Sequence, residues 1–170
     1  MKTCCCCQKP KANLNCGLCL EPLCKGCAQF VDEESFSFLK SIPAELGHSV
    51  YCGPCFDQQV APEMAKYQEI LDRAKDILVY EKTQGKETRY IKRLADPVLV
   101  ADCADHDETI LRLAFFAAKE NYNALVDVDL RSKKVKVGGY QTTIWSGSGV
   151  PAQVDASRLV KDRSIWQNPN

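Results

Sequence analysis

Most cysteines in this chain fall into pairs whose spacing suits metal binding. Eight of the 11 cysteines form four Cys-x-x-Cys pairs. Two intervening residues let both thiolates of a pair reach one ion, and structural Zn²⁺ takes four such ligands in a tetrahedron. The pairs therefore predict two complete Zn²⁺ sites with no position left for a reacting water, which indicates structural rather than catalytic metal. The pairs are Cys4/Cys7, Cys16/Cys19, Cys24/Cys27 and Cys52/Cys55.

The spacers between pairs bear on which pairs share an ion. Eight, four and 24 residues separate successive pairs. Sequential sharing, first with second and third with fourth, is one arrangement. The four-residue spacer between Cys19 and Cys24 favours a crossed arrangement, because it is long enough to pass between adjacent sites. Crossing assigns the first zinc to Cys4, Cys7, Cys24 and Cys27, and the second to Cys16, Cys19, Cys52 and Cys55.

Three further residues are close enough in sequence to act as ligands. Cys5 and Cys6 lie inside the first pair, where they are candidates to replace Cys4 or to bind a further metal. His48 lies just before the fourth pair. Because eight cysteines already complete two sites, the simpler interpretation is a pair of spare thiols and a surface-loop histidine.

Size makes the metal a requirement for folding. A unit of about 55 residues buries too little apolar surface to offset its conformational entropy. Structural zinc contributes about 10–16 kcal/mol in small fingers, which is comparable to the whole stability of a typical domain, about 5–15 kcal/mol. We therefore expect zinc binding and folding of this region to be one event.

The segments CGLCLEPLCKGC and VYCGPCFDQQV resemble a FYVE-type finger, whose second and third pairs are also four residues apart and whose last pair precedes an aromatic residue and a short helix. The resemblance covers residues 4–60 and implies crossed zinc sites with two small β-hairpins. A RING finger is the nearest alternative, but it normally carries a histidine among its middle ligands, and no histidine precedes His48.

The lipid-binding elements of phosphoinositide-binding FYVE fingers are missing or altered here. No Trp-x-x-Asp segment fits before Cys4, the stretch KPKANLNCGLC has only Lys9 and Lys11 as basic residues, and Ser49-Val50-Tyr51 replaces the arginine-containing segment before Cys52. The resemblance therefore implies the fold of the family without its lipid ligand, as in FYVE-related fingers that bind proteins.

Composition limits the partner and the compartment. The 22 basic residues equal the 22 acidic residues, whereas nucleic-acid binders usually carry a basic excess. No apolar run approaches the length of about 20 residues that a membrane span needs, and MKTCCCCQKPK lacks the apolar segment of a signal peptide. We expect a cytoplasmic protein whose thiols stay reduced.

The distribution of residues predicts two modules joined by a helix. Ten cysteines lie between Cys4 and Cys55, so residues 1–60 form the finger. Residues 61–84 are predicted as an amphipathic connector helix, because apolar residues from Met64 to Leu78 recur at three- and four-residue steps. Residues 85–154 are predicted as an α+β domain, and 155–170 as a loosely held polar tail.

The second module is predicted to be an antiparallel sheet with one main helix on one face. Strands are expected in KETRYIKRL, PVLVADC, NALVDVDL, KVKV and YQTTIW, with turns at RSKK and Gly138-Gly139 and a loop at Ser146–Gly149. Asp105 and Glu108 form a helix-start capping box. AAKENYNALVDVDL and GGYQTTIWSGSGVPA are similar to small bacterial YbjQ-like domains, with Asn121 where that family has glycine. This similarity implies a unit that forms homo-oligomers.

One acidic cluster invites a catalytic interpretation. A nucleophilic thiol or an oxygen-rich metal site is conceivable, but acidic residues also collect at helix N-termini because they complement the dipole. A cysteine nucleophile needs a positioned base, and the chain has two histidines. We therefore expect no enzyme. The cluster comprises Asp102, Cys103, Asp105, His106, Asp107 and Glu108.

These patterns predict a zinc-binding, non-catalytic adaptor whose finger recognises a protein partner. Alternatives are a RING-like ubiquitin-transfer adaptor, testable by a ubiquitination assay, and a phosphoinositide-dependent membrane-recruitment module, testable by liposome co-sedimentation. An exposed apolar loop would mark the partner site, although the same leucines can instead form the finger's core. The candidate residues are Leu18, Leu20, Pro22 and Leu23.

Overall fold

The computed structural model describes residues 2–155, which divide into two compact units between Glu69 and Ile70. The predicted tail, apart from Asp155, lies outside the described residues. No helix in the described part combines the length and the apolar character needed to cross a bilayer.

The first unit contains two short antiparallel hairpins. Strand β1 (Leu14–Asn15) pairs with β2 (Pro22–Leu23), and β3 (Gln29–Phe30) pairs with β4 (Val50–Tyr51). Single 3₁₀ turns at Glu33–Phe36 and Ala44–Leu46 lie between β3 and β4.

The core of this unit is small. The Phe36 ring meets the Tyr67 ring edge-on with centroids 5.3 Å apart. Its other fully buried side chains are few, as expected for a unit of this size; they include Leu23, Leu46, Tyr51 and Val60.

A long helical segment begins inside the last cysteine pair, directly after Cys52. It consists of α1 (Gly53–Cys55), a π-helical turn (Phe56–Val60) and α2 (Ala61–Lys75). The helix predicted for 61–84 corresponds to α2, but helical turns precede it from Gly53 onward and it ends at Lys75. Leu78, assigned to its apolar stripe, instead begins strand β5 (Leu78–Glu81). The next turn, Lys82–Gln84, is 3₁₀.

The second unit is a mixed four-stranded sheet with one packed helix. Its strand order is β5-β7-β8-β6, in which β6 is Val98–Cys103, β7 is Ala124–Val137 and β8 is Tyr140–Ala152. Helix α3 (His106–Lys119) packs on the sheet. The predicted antiparallel pairing is present between β6, β8 and β7, but the sheet is mixed, because β5 runs parallel to β7.

Two predicted interruptions of strands do not exist. RSKK lies inside β7, and Ser146–Gly149 lies inside β8, paired on both sides. A Cβ at Gly147 would lie 2.7 Å from Leu130 Cδ2 and 3.0 Å from Thr109 Cγ2. The absence of a side chain at Gly147 therefore allows α3 to pack close to the sheet, because any side chain at this position would push the helix away.

The segment KETRYIKRL, predicted as a strand, is irregular, and the Arg93 side chain holds it in place. The Arg93 guanidinium donates to the Thr88 and Ile91 carbonyl oxygens, each at 2.6 Å, and to both carboxylate oxygens of Asp127 at 3.0 and 3.1 Å. Asp127 lies in a β-bulge of β7 with φ of 54°. The anchored segment buries Ile91 against Val126 and its neighbours in a small core on the sheet.

Of the capping box predicted at the start of α3, the N-cap bond is present, whereas the reciprocal bond from Glu108 reaches Ala104, one residue before the N-cap Asp105. The Asp105 carboxylate accepts the Glu108 N–H at 2.8 Å, and the Glu108 side chain in turn accepts the Ala104 N–H. The N-cap bond satisfies one of the amides that the first turn of a helix leaves unpaired.

Candidate metal centre

All four Cys-x-x-Cys pairs adopt the same local turn. In each pair, the residue after the second cysteine donates its N–H to the carbonyl of the first. The four bonds are Gln8 N–H to Cys4 O at 2.9 Å, Leu20 N–H to Cys16 O at 3.0 Å, Ala28 N–H to Cys24 O at 3.1 Å and Phe56 N–H to Cys52 O at 2.9 Å. Such a turn brings the two thiols of a pair to the same side of the backbone.

The turns assemble into two groups of four cysteines, and within each group the Sγ atoms all lie within 4.8 Å of one another. We call Cys4, Cys7, Cys24 and Cys27 the first cage, and Cys16, Cys19, Cys52 and Cys55 the second cage. The crossed arrangement predicted from the four-residue spacer is confirmed. Sequential sharing is excluded by the same geometry.

The spacing of the sulfurs fits Zn²⁺. With Zn–S bonds of about 2.3 Å, neighbouring ligands of a tetrahedral site lie about 3.8 Å apart. The Cys7 and Cys24 sulfurs are 3.7 Å apart in the first cage, and the Cys19 and Cys52 sulfurs are 3.8 Å apart in the second. Each cage can therefore hold one Zn²⁺ through four thiolates, and that coordination leaves no position for water.

The crowding of the thiols splits their pKa values. Backbone N–H donation from Cys7, then from Cys24, lowers the pKa of Cys4 from 9.0 to about 6. Burial acts to raise the pKa of Cys16, but N–H donation from Cys52 and Cys19 brings it down to about 6. Hydrogen bonds with the Cys7 and Cys24 thiols raise the pKa of Cys27 to about 12. A thiol whose pKa is raised keeps its proton in the absence of metal, and Zn²⁺ displaces that proton as it binds.

His48 belongs to neither cage. As predicted, it is an exposed loop residue, and its ring packs against the backbone of Gly17 in the second pair. The His48 N–H donates to the Tyr51 hydroxyl at 2.9 Å, and the Gly17 N–H donates to the Val50 carbonyl at 2.9 Å. These contacts hold the second pair against β4, which leads directly into Cys52.

Gly17→Ala is expected to destabilise the second cage. A Cβ at Gly17 would lie 2.3 Å from His48 Cγ, so the loop must shift, at a cost of about 1–3 kcal/mol. The midpoint of thermal unfolding and zinc affinity in a chelator competition measure the effect. Gly26→Ala in the third pair is the matched control, because its new Cβ meets nothing closer than Cys24 Sγ at 4.0 Å. Equal losses in the two variants would contradict this role of Gly17.

The predicted partner residues divide between surface and core. Leu20 is 74% exposed, whereas Leu23 is fully buried in the finger's core. Leu18 and Pro22 are half-buried. The solvent-exposed part of the predicted patch therefore consists of Leu20 and the accessible portions of Leu18 and Pro22. Phe30 on β3 is a further exposed apolar residue, 59% accessible, and no sequence motif distinguishes it.

The acidic cluster is organised around the start of α3. Asp105 is the N-cap of the helix, and Cys103 ends β6 with a fully buried thiol. The His106 ring meets the Trp145 ring edge-on at 5.6 Å. Within residues 2–155, the two cages are the groups that bring three or more potential ligands to one point, and this cluster is not among them.

No protein-family model, curated protein or solved structure matches this chain.

Proposed function

We propose that this protein is a non-catalytic adaptor whose zinc finger presents an apolar loop to a protein partner. The observation that carries the proposal is the position of Leu20, which is 74% exposed and directly follows Cys19 of the second cage. A large apolar side chain held on a metal-fixed loop resembles the rigid anchors that dominate protein interfaces, because little entropy is lost when such a loop binds.

The finger is best described as FYVE-related. The crossed cages, the hairpins β1–β2 and β3–β4, and the helix that starts at Gly53 support this assignment. Four thiolates per ion leave no open position for catalysis, which supports a structural role for the metal. Reduced cysteines are required for both cages, so we place the protein in the cytoplasm.

Leu20→Glu is expected to weaken partner binding by about tenfold or more without changing zinc content, since it removes an apolar anchor from an interface. A photo-crosslinking amino acid at Leu18 identifies the partner, and titration of that partner against both forms measures the loss. Leu94→Glu is the matched control, because Leu94 is 84% exposed but lies in the other unit. Equal binding by the wild type and Leu20→Glu would show that Leu20 is not part of the partner-binding surface.

We further propose that the α+β unit self-associates through a β-ribbon, residues 131–146. In the part nearest the turn, β7 and β8 pair only with each other among the described strands. Two-stranded ribbons are marginally stable in water. By their register, Val135, Val137, Tyr140 and Ile144 share one face, and Val137 and Tyr140 are 65% and 84% exposed.

Tyr140→Asp is expected to convert an oligomer to a monomer, because it places a charge on the apolar face of the ribbon. Size-exclusion chromatography with light scattering gives the mass directly. Gln141→Asp adds the same charge to the neighbouring exposed residue on the opposite face and should leave the mass unchanged. A monomeric wild type would end this part of the proposal.

A further inference from the structure

Two thiols lie beside the first cage without belonging to it. Cys5 and Cys6 are free cysteines inside the first pair, and their Sγ atoms are 3.7 Å apart. That distance is far longer than a disulfide bond, about 2.05 Å. It is close to the separation of about 3.8 Å expected for two sulfurs bound to one ion at tetrahedral angles.

The loop that carries these thiols is fixed before any ligand arrives. Cys4 and Cys7 on either side belong to the first cage. The Cys5 N–H donates to the Pro22 carbonyl at 2.8 Å, and the Cys4 N–H donates to the Lys9 carbonyl at 3.0 Å. Because the backbone is held at both ends, little further entropy is lost when the two thiols act together.

The thiols are also accessible. Cys6 is exposed and Cys5 is half-buried, in contrast to the buried Cys4 beside them. An ion can therefore reach the pair from solvent without opening the first cage.

We propose that Cys5 and Cys6 form a third site, a bidentate dithiolate that binds one soft, thiophilic metal or metalloid ion. Thiolate ligands select soft ions such as monovalent copper over oxygen-preferring ions such as Mg²⁺. Binding forms two sulfur–ion bonds and releases the two thiol protons, with no change of oxidation state. This site is independent of the proposed adaptor role, because it uses neither the Leu20 surface nor the ribbon.

Phenylarsine oxide is the first probe, since its trivalent arsenic bonds both sulfurs of a close thiol pair and releases one water. We expect native mass spectrometry of the full, two-zinc protein to show one phenylarsenic group per chain with both zinc ions retained. Cys6→Ser, which changes an exposed side chain, and Cys5→Ser should each weaken binding by about 100-fold or more, because the second bond becomes impossible. Cys103→Ser, a buried thiol far along the chain, is the control and should bind like the wild type.

Monovalent copper is the second probe and separates ion binding from arsenical chemistry. One copper ion per chain, competed against a chelator and lost in the same variants while two zinc ions remain, supports the site. The proposal is overturned if the Cys5→Ser/Cys6→Ser double variant binds both probes as the wild type does, or if either probe enters only as zinc leaves. The zinc count of each variant confirms that its cages are intact.

Discussion

Cys16→Ser is expected to remove one zinc ion and to unfold the second cage. Cys16 is fully buried, and its sulfur is one of four within 4.8 Å of one another. Structural zinc contributes about 10–16 kcal/mol, and a hydroxyl is a poor replacement for a thiolate on this ion. Zinc content by elemental analysis should fall from two ions to one, and circular dichroism and proteolysis should report loss of structure within residues 1–60.

Double variants test which cysteines act together. Cys16→Ser combined with Cys52→Ser changes the second cage alone and should lose little more than Cys16→Ser, since residues acting as one unit are not additive. Cys16→Ser combined with Cys24→Ser changes both cages and should lose both ions. Loss of both ions from the Cys16→Ser/Cys52→Ser variant would contradict the crossed cages, because sequential sharing places these two cysteines in different sites.

Phe115→Ala is expected to cause the largest loss of stability in the second unit. Phe115 is fully buried on α3, and truncation of a buried phenylalanine to alanine usually costs about 3–5 kcal/mol through lost burial and the cavity left behind. Urea unfolding followed by the fluorescence of Trp145, which lies on β8 beside this helix, measures the change.

Phe116→Ala is the matched control for that measurement. The two rings are neighbours, 5.9 Å apart and edge-on, but Phe116 is only half-buried. Its truncation removes less buried apolar surface and should cost clearly less. If the two variants unfold at the same urea concentration, α3 is not packed as described.

The metal cages were predictable because their information is local. A Cys-x-x-Cys turn depends on four neighbouring residues, and the four-residue spacer between Cys19 and Cys24 limits which pairs can meet. The exposure of the four candidate partner residues was predicted less well. Leu20 and Leu23 are the same residue type three positions apart, and only the pairing of β2 with β1 decides that Leu23 turns inward.

The sheet was harder to predict because its information is distant in sequence. Leu78 continues the helical period of α2, yet it forms a strand by pairing with Ala124. Ser146–Gly149 has a loop-like composition, but its glycines lie in β8, where Gly147 allows α3 to approach. Local propensity was overridden in both places by tertiary packing.

The ion pair between Arg93 and Asp127, which holds the irregular segment on the sheet, could not be predicted from the sequence either. Arg93 and Asp127 are 34 positions apart, and Asp127 reaches the guanidinium from a bulge with positive φ. The bond to Arg93 lowers the pKa of Asp127. No local pattern signals such a pair.

The most direct test of the account is X-ray absorption spectroscopy at the zinc edge, combined with elemental analysis of the purified protein. We expect two zinc ions per chain, each surrounded by four sulfurs at about 2.3 Å, and loss of the finger's structure after exhaustive chelation. Fewer than two ions, oxygen or nitrogen among the ligands, or a finger that stays folded without metal would contradict it.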